Sequence, residues 1–138
     1  ACLEYVDIHP VIFLMRGHAY PGWWRTDADR ERFFAMSEVG ELAPAALAGW
    51  TDAAGRRSTP GWIVPAARHP EVRDQAAAAR LVPIETVWLT IDGGFGEAMD
   101  EGWENLLSAG EFDGMVDVAA ARQAMPPVTP LPRRGAVT

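Results

Sequence analysis

Residues Ile84 to Val118 read IETVWLTIDGGFGEAMDEGWENLLSAGEFDGMVDV, and the fold turns on this stretch. Its first eight residues alternate. Val87, Leu89 and Ile91 share one side, and Thr86, Trp88 and Thr90 share the other, which predicts a half-buried strand over Ile84 to Ile91. Asp92-Gly93-Gly94 ends it. Phe95, Met99, Trp103, Leu106 and Leu107 then recur at helical spacing, with Glu97, Asp100, Glu101 and Glu104 opposite, which predicts a helix to about Ser108 with Gly110 as its cap. Phe112 to Val118 predicts a last strand, with Phe112, Val116 and Val118 on one face and Asp113, Met115 and Asp117 on the other.

Upstream, Tyr5 to Met15 (YVDIHPVIFLM) is β-branched and aromatic. It is apolar at every position from Val11, so it predicts a strand buried on both faces. Pro10 points to an edge position or a bulge. Gly17 to Arg25 (GHAYPGWWR) is punctuated by Gly and Pro and predicts a loop. Thr26 is placed to cap a helix running to about Val39. A second helical piece from Pro44 to Gly49 and a short strand or hairpin from Trp50 to Arg57 follow. Thr59 to Pro70 is expected to be mostly loop, and Glu71 to Leu81 helix. Residues 1–125 are expected to form one α+β domain with an insertion at about 58–82. Residues 126–138, rich in Pro and Arg, form an extended tail, either disordered or laid across a partner subunit.

The composition narrows the function classes. The formal net charge is −7, and all 12 basic residues are arginine. Without lysine, Schiff-base chemistry and a P-loop lysine are excluded. Nine of the 19 acidic residues lie between Glu85 and Asp117, where no arginine occurs, so one face or end is strongly negative. That argues against nucleic acid and against anionic membrane surfaces as partners. No apolar run approaches the length of a membrane span, and no basic stretch precedes an apolar one as in a secretory leader. Cys2 is the single cysteine, which excludes an internal disulfide or multi-thiolate zinc site and fits a cytoplasmic location.

Taken in order, these elements give β-α-β-β-α-β with an insertion: an antiparallel sheet with helices on one face. The order resembles the dimeric α+β barrel superfamily of ferredoxin-like proteins, chiefly through Glu85–Ile91, Phe95–Ser108 and FDGMVDV. The resemblance implies a homodimer in which a second subunit covers the free sheet face. The superfamily holds cofactor-independent monooxygenases, polyketide cyclases, lactone isomerases, haem-handling proteins and members without known chemistry, so it leaves function open.

Asp7 and His9 are two apart on a strand and so share a face, as an acid orienting an imidazole would. They read either as catalytic or as a solvated strand edge. Phe13 on that face adds an apolar wall. His18, Tyr20, Trp23, Trp24 and Arg25 crowd the Gly/Pro loop, which reads either as a lid over an apolar ligand or as a loop packed on the core or a dimer interface. Trp88 is expected to face the barrel interior. His69 reads as a surface histidine opening a helix, and Arg56, Arg57 and Ser58 as solvated or anion-binding. No histidine spacing marks a metal site, and Asp92–Gly96 lacks the pattern of a phosphate loop.

The expected function is a small cofactor-independent enzyme of cyclase, isomerase or monooxygenase type. It would act on an apolar, aromatic or polyketide-like small molecule by acid/base chemistry. His9, Asp7, His18 and Tyr20 are the candidate catalytic residues, and Trp23, Trp24, Arg25, Trp88 and Phe13 the candidate substrate contacts. The alternative is a non-catalytic subunit or binding module of a larger assembly.

Overall fold

The structure, a computed structural model, describes residues 8–36, 62–91 and 93–124. The tail, Cys2, Asp7, the Pro44–Gly49 and Trp50–Arg57 pieces, and Arg56, Arg57 and Ser58 lie outside the described residues. Five strands form one antiparallel sheet: β1 (His9–Met15), β2 (His18–Trp24), β3 (Ile63–Pro65), β4 (Leu81–Pro83) and β5 (Phe112–Asp117), in the order β3-β5-β1-β2-β4. Among the described residues four α-helices accompany it: α1 (Asp27–Ala35), α2 (His69–Ala77), α3 (Phe95–Leu107) and α4 (Val118–Ala124). The fold is α+β with the helices on one side of the sheet. No helix among the described residues is long and apolar enough to cross a membrane.

The element order departs from β-α-β-β-α-β at the first connection. His18 to Trp24, expected as loop, is a strand paired directly with β1 across the two-residue turn Arg16-Gly17. Gly17 takes φ +74°, a left-handed conformation that costs glycine little. Pro21 and Gly22 did not break this strand, for separable reasons. The Pro21 carbonyl accepts from the Ile84 N–H, so its side of the backbone faces β4, whose ladder ends at Gly22. The missing Pro21 N–H therefore removes no bond to β1. At Gly22 a Cβ would meet the Phe13 ring at 2.5 Å and the Val82 carbonyl at 2.7 Å, so only glycine lets three strands close up there.

β1 is central rather than at an edge. Its pairing with β5 begins at Val11, so Pro10 stands just outside that ladder. The stretch expected as an insertion instead supplies both edge strands, β3 and β4, and α2 between them.

Ile84 to Ile91 is not a strand. Thr86 to Thr90 forms a 3-10 helix, and Val87, Trp88, Leu89 and Ile91 are exposed. The Glu85 N–H donates to the Ala98 carbonyl of α3, and the Glu85 carboxylate accepts from the Val87 N–H at 3.3 Å. Those two bonds turn the chain out of the sheet before alternation can act, since strand propensity is expressed only against a neighbouring strand.

The helix at Phe95 and the strand at Phe112 stand as expected, with one change of face. In β5 the register steps from Leu14↔Gly114 to Met15↔Phe112, leaving Asp113 as an extra, bulged residue. Phe112 thereby joins Met115 and Asp117 on the buried face. The core is Val11, Phe13 and Met15 of β1, Tyr20 and Trp24 of β2, Leu81, Phe112, Met115 and Val64, closed by Phe33, Val72 and Leu106 from the helices. Thr26 caps α1 as expected, its hydroxyl accepting from the Asp29 N–H at 3.1 Å.

Two cations, a half-buried Arg30 and a buried Arg68, are accounted for by this frame. Arg30 of α1 makes a bidentate pair with the fully buried Asp117, both bonds 2.8 Å, and Asp117 also accepts from the Ala120 N–H at the start of α4. That pairing holds the Arg30 guanidinium above its ordinary range. Arg68 lies 4.2 Å over the Phe33 ring, and burial lowers its pKa more than the charge of Glu71 restores.

Candidate functional site

The two histidines of the β1–β2 hairpin sit at opposite ends of it. His9 pairs with Trp24, and His18 with Met15, six residues further along β1. At ~3.4 Å per residue that separates them by about 20 Å, so they form no common site. His9 shares its face with Val11, Phe13 and Met15, as its spacing required, but that face is the packed core. The His9 Nε2 lies 2.8 Å from Asp27 of α1, a carboxylate whose side chain is 74% exposed.

His18 is differently placed. Its Nε2 lies 2.5 Å from Oε2 of Glu85, a carboxylate only 5% exposed, while the imidazole itself is 43% exposed. Glu85 is held by its own backbone bond to α3, by the Val87 N–H, and by a long contact of 3.5 Å from the Asn105 amide. The His18 ring stacks on Tyr20 with centroids 5.9 Å apart, and Tyr20 in turn packs on Phe13. A pocket of about 170 Å³ opens beside the imidazole, lined by Met15, Arg16, His18, Asn105, Ser108 and Glu111.

The Tyr20 hydroxyl is buried and has no hydrogen-bond partner among the described residues. Burial first, and the charge of Glu85 second, push its pKa well above the ordinary tyrosine value. The phenol therefore stays neutral at any ordinary pH and lies behind the dyad, in the core. Of the expected catalytic residues, the structure gathers His18 and Tyr20, and adds Glu85 and Asn105. Spacing in the sequence could not reveal Glu85, which is 67 residues from His18.

The expected substrate contacts disperse. Phe13 and Trp24 are core residues, Trp24 packing on Phe33 and Phe34. Trp88 lies on the 3-10 turn above the acidic side of α3, beside Glu97, Asp100, Glu101 and Glu104. Trp23 and Arg25 do line a cleft, of about 450 Å³, along the outer edge of β4. Leu81, Val82 and Pro83 form one wall, and Met99, Asp100 and Trp103 of α3 the other. Trp23 also packs on Phe95, with ring centroids 6.3 Å apart. Trp23 and His18 are five positions apart on β2 and on opposite faces of the sheet, so this cleft and the His18 pocket are separate.

His69 opens α2 as expected but is buried, not on the surface. Its ring packs on Phe112, and its Nε2 meets the Leu106 carbonyl at the end of α3. Among the described residues no three His, Cys, Asp or Glu side chains gather as a metal site would require. Compared with known protein families, curated proteins and solved structures, the chain matches none of them.

Proposed function

We propose that the protein is a small enzyme performing acid/base chemistry on a small molecule, with His18 as the general acid/base and Glu85 as the group that orients it. The single observation behind this is the pairing of a buried carboxylate with a half-exposed imidazole at the edge of a pocket. Glu85 accepts from Nε2–H and so selects that tautomer, which leaves Nδ1 as the proton acceptor. Among the described residues Nδ1 has no partner. Arg16, Asn105 and Ser108 supply donors for a carbonyl or carboxylate oxygen, and charge developing on that oxygen in a proton abstraction is stabilised by such donors. The pocket suits a small polar carbonyl compound, undergoing isomerisation or enolisation, better than a large polyketide. A cytoplasmic setting fits a chain with one thiol.

The test is deuterium uptake from D2O into a panel of small enolisable ketones and keto acids, followed by proton NMR. The wild type exchanges the α-hydrogens of at least one class. His18→Gln and Glu85→Gln should each slow this by about 10²–10⁴-fold. Exchange at the wild-type rate in His18→Gln would overturn the assignment.

The homodimer belongs to the same proposal. Ile12 is exposed on the outer sheet face, beside Leu14 and Val116 and away from the part that α3 reaches at Trp23 and Val82. The non-catalytic alternative draws on Val87, Leu89 and Ile91, 44–59% exposed on one short turn, a patch that a partner chain would cover. Native mass spectrometry separates the two: a free dimer favours the enzyme, and capture only with a second kind of chain favours the subunit.

A further inference from the structure

The cleft beside β4 carries a second inference, independent of the His18 pocket. Its volume of about 450 Å³ falls within the range of small-molecule sites. Its walls are apolar and flat: Trp23 from β2, Leu81 from β4, and Met99 and Trp103 from α3, the last two one helical turn apart and so on one face. Phe95 packs on Trp23 and extends that wall. Rings and a thioether of this kind favour an aromatic group.

Two opposite charges also line this cleft. Arg25 and Asp100 both reach it, yet they form no ion pair with each other, and neither has an ion-pair partner among the described residues. Opposite charges that share a cleft without meeting are complementary to a ligand bearing both signs. A purely anionic ligand would gain Arg25 but meet the acidic side of α3, where Glu97, Glu101 and Glu104 stand near Asp100. A purely cationic ligand would gain Asp100 and leave Arg25 unanswered.

We propose that this cleft binds an aromatic zwitterion of the aromatic amino-acid class. The ring lies against Trp23, Met99 and Trp103, the carboxylate on Arg25 and the ammonium on Asp100. Four probes with the same ring test it: L-phenylalanine, phenethylamine, 3-phenylpropanoate and 3-phenylpropan-1-ol. Binding to the full chain is read from tryptophan fluorescence excited where the phenyl ring does not absorb. Phenylalanine should bind about tenfold more tightly than either singly charged probe, and the neutral alcohol most weakly. Arg25→Gln should bring phenylalanine down to the level of phenethylamine and leave phenethylamine unchanged. Asp100→Asn should bring it down to the level of phenylpropanoate. His18→Gln should change none of these, so failure here leaves the acid/base reading standing. Equal binding of all four probes, no binding at millimolar concentration, or a charge preference that survives both substitutions would overturn the proposal.

Discussion

The two ends of the β1–β2 hairpin make the same contact, an imidazole on a carboxylate, in opposite surroundings. At His9 the carboxylate is Asp27, mostly in water. At His18 it is Glu85, almost wholly buried and fixed by backbone bonds on both sides. Solvent screens the first pair and leaves its geometry loose, so such a pair contributes little. Burial strengthens the second and fixes the ring, which lines a pocket. Proximity of an acid to a histidine is therefore a poor guide to chemistry until the burial of the acid is known.

The largest expected effect separates the two ends by activity. His18→Gln should slow α-hydrogen exchange by about 10²–10⁴-fold, whereas His9→Asn should leave it unchanged. Equal losses in the two variants would erase the distinction between them.

A second contrast concerns buried and exposed carboxylates as structural groups. Asp117→Ala strips the partner from Arg30 and the cap from α4, and should cost about 3–5 kcal/mol by urea denaturation. Asp27→Ala should cost under about 1 kcal/mol.

Tyr20 behind the dyad gives a third test, of pH dependence. The folded state raises the pKa of this phenol, so the folded protein holds the proton more tightly than the unfolded chain. The resulting stability is complete below the unfolded value near 10 and is lost as pH rises above it. Tyr20→Phe should flatten that alkaline loss. At neutral pH it should be neutral or stabilising by about 1 kcal/mol, because the hydroxyl it removes is buried and has no partner among the described residues. The smallest effect expected is that of Asp27→Asn at the His9 end, within about 0.5 kcal/mol and fading with added salt.

Parts of this were legible in the sequence. The α3 helix, the Thr26 cap and the Phe112 strand follow from local spacing, and they stand, although the face that α3 buries is Ala98, Gly102 and Leu106, with Phe95 and Leu107 of the expected stripe exposed. The Trp23 and Arg25 wall was visible as an unusual density of aromatic and charged residues. What misled were signals whose meaning depends on distant partners. Pro21 and Gly22 read as breakers because only the pairing with β1 and β4 shows where the missing N–H and Cβ fall. The alternation of Thr86–Ile91 read as a strand because nothing local shows that Glu85 is held by α3. The bulge at Asp113 changed a face by one residue, which no periodicity foretells. For the site, His18 was a candidate by its setting, but its partner Glu85 stood in a segment taken as a strand of the sheet.

The most direct measurement is the tautomer of His18, read from long-range nitrogen–proton correlations of the imidazoles. The proposed dyad predicts a single Nε2–H tautomer for His18, with Nδ1 unprotonated, and predicts that this signature is lost in Glu85→Gln. An averaged mixture of tautomers at His18, or the Nδ1–H form, would contradict the dyad and with it the proposed chemistry.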